Sequence, residues 1–179
     1  MQFLTQTEQQ SPQVLAANFF QESAGDWHSQ RRYYTLATGE IQEVESWLTV
    51  RFLEQGSPEL IDVAERHQLQ EKDALRCGAQ VTWESSYTNQ NRKPVKGATV
   101  FGVLGETLYR DRGFATSKPV TAQYRFLDPK TMYLYTEYKG SSFAEELKLI
   151  GQHYRTRQTI ISRAGEEQMI GQYLEKRLY

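Results

Sequence analysis

Two arginines near the end of the chain, Arg155 and Arg157, have the spacing and the chemistry of an anion-binding pair. They lie within residues 154–159, a stretch that is predicted to form a strand. Side chains two residues apart on a strand point to the same face. Burying two guanidinium groups without anionic partners is costly, so this face meets either solvent or an anion. If the strands close into a small barrel, that anion could be the carboxylate of a ligand held inside.

A carboxylate on a neighbouring predicted strand is the candidate catalytic residue. Glu137 follows Tyr133 and Tyr135 at a spacing of two residues on an otherwise apolar strand. Inside a cavity, Glu137 could accept hydrogen bonds from a ligand or act as a general acid, with Tyr135 beside it as a binding residue. The alternative is a structural salt bridge between Glu137 and one of the two arginines.

Two further polar and aromatic positions complete the candidate binding set. Arg31 shares a face of an early predicted strand with Trp27, so that it points inward if Trp27 plugs the barrel and otherwise lies at the rim. Trp83 lies on the same face as Ala79 and Val81. Its ring could stack on a flat ligand, and the alternative is an ordinary core tryptophan.

The sequence offers no nucleophile of its own for covalent catalysis. It contains neither a Gly-x-Ser-x-Gly motif nor a glycine-rich phosphate loop, and His28, His67 and His153 lack metal-ligand spacing. Cys77 is the single cysteine, which excludes an intramolecular disulfide and favours a packing thiol over an acceptor site. We therefore expect no metal and no prosthetic group.

The length and composition of the chain limit the classes of protein to which it can belong. The 179 residues suit one domain over 1–179, of which residues 1–10 are predicted to be a flexible tail. Lys and Arg total 21 against 22 Asp and Glu, which does not favour nucleic-acid binding. We expect no secretory signal, and no stretch of the sequence approaches the roughly 20 apolar residues of a membrane helix. These features predict a soluble protein of a reducing compartment such as the cytoplasm.

The order of the predicted elements favours an antiparallel barrel. A helix over residues 11–23 starts the domain, and a second helix over residues 58–68 is inserted as a lid or a surface helix. About nine or ten strands with short connections and no βαβ rhythm predict a meander that closes on itself, because closure removes exposed edges. The strands are predicted at residues 27–36, 41–53, 78–87, 98–104, 107–111, 120–127, 132–138, 154–162 and 168–177.

Several motifs resemble known families. Gly25-Asp26-Trp27 resembles the Gly-x-Trp signature of the calycins, a group of barrels in which a late basic residue packs across the tryptophan ring. Four longer segments, in the same order along the chain, resemble the S-type phycobiliprotein lyases. These segments are residues 19–31, Gly78 to Glu84, Arg110 to Ala115 with Pro119-Val120, and the C-terminal set Thr136-Glu137-Tyr138, Glu145-Glu146 and Arg155-Thr156-Arg157.

This resemblance implies a mainly β, calycin-like barrel that binds a linear tetrapyrrole, a bilin such as phycocyanobilin or phycoerythrobilin, as its substrate. It also implies delivery of that bilin to a cysteine of a phycobiliprotein α or β subunit, where a thioether forms. In this setting Arg155 and Arg157 are expected to grip the bilin propionates, and Glu137 to bind or protonate the pyrroles. Arg31, Trp27, Trp83 and Tyr135 are expected to complete the site.

Two alternatives stay open at this stage. The same barrel could be a carrier that binds a bilin, haem or fatty acid and transfers nothing. The chain could instead be one subunit of a heterodimeric lyase, because Arg32 and His153 depart from the pattern of the family. A homodimer, or a heterodimer with a paralogue, is therefore considered. The expected location is the cytoplasm of a cell with phycobilisomes, or the plastid stroma of a eukaryote.

Overall fold

Ten antiparallel strands close into a single barrel, which confirms the predicted fold class. The structure is a computed structural model that describes residues 10–88 and 90–179, so residues 1–9 of the predicted tail lie outside the described residues. Each strand pairs with its neighbours in sequence, and the first strand pairs with the last. The strands are β1 Gly25–Thr35, β2 Glu40–Glu54, β3 Cys77–Tyr87, β4 Val95–Leu104, β5 Thr107–Arg110, β6 Val120–Asp128, β7 Thr131–Tyr138, β8 Ser141–Ile150, β9 Tyr154–Arg163 and β10 Glu166–Arg177.

Strand β8 is the one element that the sequence patterns missed. Its centre, Ala144 to Lys148, consists of residues that favour helices and are depleted in strands. Pairing over the whole length of β8 with both β7 and β9 overrides this local preference. Strand β5 is the opposite case, because the sequence patterns predicted it although it is very short. It has four residues, and all four pair with each neighbouring strand.

The first helix closes one end of the barrel. Helix α1 (Pro12–Ser23) begins at Ser11, whose hydroxyl accepts a hydrogen bond from the backbone N–H of Val14 at 3.4 Å. Phe19 and Phe20 are buried and point into the barrel, where Phe20 packs edge to face on Phe101 with ring centroids 5.3 Å apart. We call this end the floor and the opposite end, where β1 finishes, the mouth.

The second helix lies outside the barrel. Helix α2 (Pro58–Arg66) buries Leu60, Val63 and Ala64 against residues of β2, β4 and β5. Full burial of an aliphatic side chain contributes about 1.5–3 kcal/mol, which is enough to hold a helix of nine residues on the sheet. Of the two predicted roles for this helix, the surface helix is confirmed. No helix of the described residues is long and apolar enough to cross a membrane.

Trp27 forms the centre of the floor. It is completely buried, and its indole Nε1 donates a hydrogen bond to the carbonyl oxygen of Ser23 at 2.9 Å. The guanidinium carbon of Arg177 lies 4.3 Å from the ring centroid, and its nitrogens donate to the carbonyl oxygens of Glu22 and Ala24. Gly25 allows this approach, because its φ is +124° and a Cβ there would lie 2.9 Å from Arg177. The arrangement is the one that the calycin resemblance implied.

We expect Arg177→Ala to destabilise the protein by about 2–3 kcal/mol. The substitution removes the cation over Trp27 and leaves three carbonyl oxygens, including that of Gln152, without their charged donor. Urea denaturation measures the change in the free energy of unfolding. The matched control is Lys176→Ala, an exposed neighbour that is expected to change this free energy by less than about 0.5 kcal/mol. Equal effects of the two substitutions would contradict the role given to Arg177.

Candidate functional site

A cavity of about 350 Å³ lies between the floor and the mouth. Its lower walls are apolar and include Phe20, Leu48 and Val50, whereas its upper walls carry arginines. The lining residues Arg112 and Phe114 are exposed to solvent, which shows that the cavity opens at the mouth. The barrel therefore encloses a partly apolar space into which cations project at both levels, with Arg155 near the floor and Arg112 at the mouth.

Arg155, one of the two arginines that the sequence singled out, lies in this cavity in a buried ion pair. Its Nε donates to Glu175 Oε2 at 2.5 Å, and Ser29 Oγ donates to the other carboxylate oxygen at 3.3 Å. Only 1% of Glu175 is exposed. Burial alone would raise the pKa of Glu175, but its attraction and hydrogen bond to Arg155 outweigh burial and lower that pKa.

Arg157 lies in the cavity in a second ion pair, with Glu145. Glu145 has no exposed surface, and its other carboxylate oxygen lies 4.0 Å from Arg110. Burial opposes the charge on Arg157, but the carboxylate of Glu145 outweighs burial, so the pKa of Arg157 is raised. Burial lowers the pKa of Arg110, and Glu145 only partly offsets that effect.

The cluster around Glu145 has unused hydrogen-bonding capacity. Glu145 Oε2, Arg110 Nε and Arg157 Nε are buried without a hydrogen-bond partner among the described residues. Buried polar groups of this kind normally have partners, so each of these atoms is free to bind a ligand or an ordered water.

Two cavity arginines lack ionic partners in the described part of the chain. No carboxylate oxygen among residues 10–88 and 90–179 lies within 4.0 Å of Arg31 or Arg112. Arg31 donates to Ser29 Oγ at 3.1 Å and lies 5.1 Å above the ring of Tyr173. Arg112 lies 5.6 Å from the ring centroid of Trp83. These two guanidinium groups are the cations best placed to bind an anionic ligand.

Trp83 lines the cavity and rests on the backbone of Gly97, its partner across the β3–β4 pair. A Cβ at position 97 would lie 2.3 Å from the indole ring. Glycine therefore provides the space in which the ring lies flat against the wall. The sequence-based placements of Arg31, Trp83, Arg155 and Arg157 agree with this cavity, and their contacts with a ligand stay predictions.

The expected positions of Glu137 and Tyr135 inside the barrel are wrong. Both side chains are exposed on the outer face of β7, where Tyr135 donates to Glu137 at 3.2 Å. The inner face of this strand is formed by Met132, Leu134 and Thr136, which are buried. Sequence spacing finds the two faces of a strand, but the burial of the more apolar face decides which one is inside. The predicted salt bridge between Glu137 and Arg155 or Arg157 is absent as well.

Trp27 does not line the cavity either. Its ring lies beneath the cavity, covered by Arg155 at 5.0 Å and Arg177 at 4.3 Å from the ring centroid. The prediction that Trp27 contacts a ligand is therefore wrong as to placement, and the residue supports Arg155 from below.

Four charged residues of the site were not selected from the sequence. Arg110 and Arg112 were noted from the sequence as part of a segment that resembles the family and not as site residues, although Arg110 shares the inner face of β5 with the buried Leu108. Alternation along β10 likewise places Glu175 on the face of the buried Tyr173. Glu145 gave no such signal, because its strand was not recognised.

Cys77 has the properties of a packing thiol. It is 4% exposed at the start of β3, and burial raises the pKa of its thiol to about 11. Because the thiolate is the nucleophile in thioether chemistry, Cys77 is unsuited to bond a ligand. Among the described residues, no three His, Cys, Asp or Glu side chains are grouped to hold a metal ion.

Comparisons with known proteins agree with this geometry. Residues 16–178 match the family model described as CpeS-like protein. A protein of Nostoc sp. named phycocyanobilin lyase CpcS 2 is 65% identical over 160 residues, which cover 89% of each chain. A protein of Picosynechococcus sp. named chromophore lyase CpcV is 53% identical over 94% of this chain and 83% of its own. The solved structure of the S-type phycobiliprotein lyase CPES from Guillardia theta superposes with a TM-score of 0.79 at 20% identity, over 96% of this chain and 99% of that one.

We expect Glu175→Gln to lower the free energy of unfolding by about 3 kcal/mol at pH 7 and to weaken its dependence on acid pH. The loss follows because Arg155 would be left buried without its anion. The pKa of Glu175 is lower in the folded protein than its unfolded value of about 4.3, so the unfolded chain binds more protons between the two. The stability that Glu175 contributes is therefore complete above pH 5 and is lost as the pH falls through this window.

Urea denaturation between pH 3 and pH 7 measures both effects. Glu146→Gln, at an exposed position on β8, is the control and should keep the wild-type pH dependence. An unchanged acid slope in Glu175→Gln would show that the ion pair does not control stability.

Proposed function

The chain belongs to the CpeS-like protein family, and from this premise we propose that it is a phycobiliprotein lyase. It binds a bilin in the barrel and promotes formation of a thioether bond between that bilin and a cysteine of a phycobiliprotein subunit. The names of the relatives at 65% and 53% identity, a phycocyanobilin lyase and a chromophore lyase, support this assignment. Because the organisms of these relatives are cyanobacteria, we place the reaction in the cytoplasm of a cell with phycobilisomes.

The observation that carries the proposal is that Arg31 and Arg112 have no carboxylate partner among the described residues, whereas the other arginines of the cavity lie beside buried glutamates. A bilin carries two propionates on a chain of four flat pyrrolic rings. Guanidinium groups form bidentate hydrogen bonds with carboxylates, so each of the two arginines takes one propionate. Trp83 stacks on a pyrrolic ring from the wall of the cavity.

Arg155 and Arg157 act differently from the sequence-based expectation. Each is already neutralised by a buried glutamate, so neither needs a propionate to offset its burial. Their role is to hold the side chains of Glu175 and Glu145 in fixed positions. The catalytic carboxylate expected at Glu137 is therefore reassigned to Glu145, which lines the cavity and has one carboxylate oxygen without a hydrogen-bond partner among the described residues.

Formation of the thioether requires that the bilin be oriented toward the acceptor thiol and that the positive charge of the protonated bilin be stabilised. The acceptor thiol adds to the ethylidene group on ring A: sulfur bonds to the ethylidene carbon, and the thiol proton ends on the tetrapyrrole. Glu145 accepts hydrogen bonds from pyrrole N–H groups and stabilises the protonated bilin, which makes ring A more electrophilic. The barrel walls hold ring A toward the mouth, so that proximity accelerates the addition. No nucleophile of this chain is needed.

A fatty-acid carrier on the same barrel is a poorer fit to the cavity. A fatty acid has one carboxylate and an acyl chain that requires an apolar lining. The five arginines at this cavity, Arg31, Arg110, Arg112, Arg155 and Arg157, exceed that need.

Co-production tests the proposed function. The chain is produced with a phycocyanobilin-forming pathway and with apo-α or apo-β phycobiliprotein subunits, with and without a family paralogue. Pigment that stays on the subunit after denaturation, mapped to one cysteine-containing peptide, is the expected result. A requirement for the paralogue would identify a heterodimeric lyase, and no covalent pigment on any subunit would refute the lyase assignment.

We expect Arg31→Met and Arg112→Met each to weaken bilin binding by about 10- to 100-fold. Each substitution removes a charge-assisted hydrogen-bonding partner worth about 1.5–3 kcal/mol. Titration of free phycocyanobilin, followed by its absorbance, measures the dissociation constant. Arg32→Met is the control, because Arg32 lies on the outer face and pairs with Glu43 at 2.9 Å. Equal losses in Arg31→Met and Arg32→Met would show that the cavity is not the binding site.

We expect Glu145→Gln to slow transfer of bound bilin at least tenfold and to change its absorption spectrum. The amide cannot stabilise a protonated tetrapyrrole as a carboxylate does. Single-turnover transfer to the acceptor subunit measures the rate, and circular dichroism checks folding. Glu137→Gln, on the outer face of β7, is expected to transfer at the wild-type rate. If Glu137→Gln were slow and Glu145→Gln normal, the reassignment of the catalytic carboxylate would be wrong.

A further inference from the structure

Exposed cations are concentrated on one side of the mouth. They lie on the β3–β4, β5–β6 and β7–β8 connections and the strand ends beside them, whereas the other side of the mouth carries Glu40, Glu166 and Glu167 together with the exposed Arg163. We call the cationic side the basic arc, which consists of Arg92, Lys93, Lys96, Arg112, Lys118 and Lys139.

Most charges of the basic arc are not neutralised within the described residues. Only Lys96 has a carboxylate within 4.0 Å there, that of Glu84 at 3.2 Å. The one acidic residue within the β5–β6 connection, Asp111, accepts a hydrogen bond from Thr99 at 2.8 Å. The formal net charge of −1 therefore does not reflect the uneven distribution of positive and negative side chains around the mouth. Such a field attracts partners of opposite charge and orients them as they approach.

We propose that the basic arc is the docking surface for the acceptor protein, and that this protein presents carboxylates around its reactive cysteine. The inference rests on the proposed function. Helix α1 and Trp27 close the floor, so the bilin can meet an external thiol only at the mouth. A protein that brings its cysteine there must lie against the basic arc.

A protein partner explains this arrangement better than the bilin does. Lys93, Lys118 and Lys139 are exposed and do not line the cavity, so a bilin held inside does not contact them. The glutamates across the mouth repel the same carboxylates that the basic arc attracts. The two sides together favour one rotational orientation of the partner, which directs one cysteine to ring A.

Charge reversal of the three lysines tests the docking surface. The mouth variant is Lys93→Glu with Lys118→Glu and Lys139→Glu. The control variant is Lys72→Glu with Lys148→Glu and Lys176→Glu, three exposed lysines at the floor end. Each variant changes the formal net charge by −6, from −1 to −7, so a general effect of net charge is the same in both.

Surface plasmon resonance measures association of each protein with apo-α and apo-β phycobiliprotein subunits without bilin. At about 0.05 M salt, the association rate of the mouth variant is expected to fall at least tenfold below that of the control variant. At about 1 M salt, where interactions between charges are screened beyond about 3 Å, the difference in association rate between the two variants should disappear. Phycocyanobilin affinity and the circular dichroism spectrum should be the same in both variants.

Three outcomes would overturn the proposal. Equal association rates of the two variants would show that the basic arc does not dock the acceptor, and so would a wild-type protein that binds neither subunit. Slower bilin uptake with normal subunit association would assign the basic arc to the cargo. A wild-type protein that associates in this salt-dependent way but transfers no bilin would instead contradict the proposed lyase function and leave the docking surface supported.

Discussion

The structure depends on the cost of enclosing charge in a closed barrel. A guanidinium group removed from water is tolerated only when an anion and hydrogen bonds replace the lost hydration. Two of the cavity arginines, Arg155 and Arg157, obtain this compensation from Glu175 and Glu145. Arg31 and Arg112 have no carboxylate partner within the described residues, and Arg112 keeps its contact with solvent at the mouth, so neither charge is neutralised inside the barrel.

The two ends of the barrel have different roles: the floor contributes to stability, and the mouth carries the groups proposed for function. The floor is packed with aromatic side chains, and Arg177 ties the last strand to the carbonyl oxygens around helix α1. The mouth carries the β3–β4 and β5–β6 connections with their exposed cations, and the cavity below it holds the unsatisfied polar atoms of Arg110, Glu145 and Arg157. Proteins commonly concentrate such locally unfavourable arrangements at functional sites and offset them with a well-packed remainder.

The sequence predicted most of the fold because turn residues and alternation agree along nearly all of the chain. Strand β8 was missed because Ala, Glu and Lys carry little strand preference, and only pairing with two neighbours makes them a strand. Within the site, Arg31, Trp83, Arg155 and Arg157 were placed correctly since each shares a face with buried neighbours. Glu137 was misplaced because three aromatic or acidic residues on one face of β7 resembled a binding stripe. Packing of Met132 and Leu134, which sequence spacing cannot weigh, puts that stripe outside.

The shortest strand, β5, is the place where the wall of the barrel opens most easily. Only four residues of β5 pair with each neighbour, whereas β1 and β2 pair over eleven. Breaking the hydrogen bonds of β5 with its neighbours costs less free energy than opening any longer pair of strands, so local opening of the wall is concentrated at β5. Arg110 ends β5 and the connection after it carries Arg112, so each such excursion widens the entrance beside two guanidinium groups. The opposite wall, where β1 pairs with β2 along its whole length, keeps its shape.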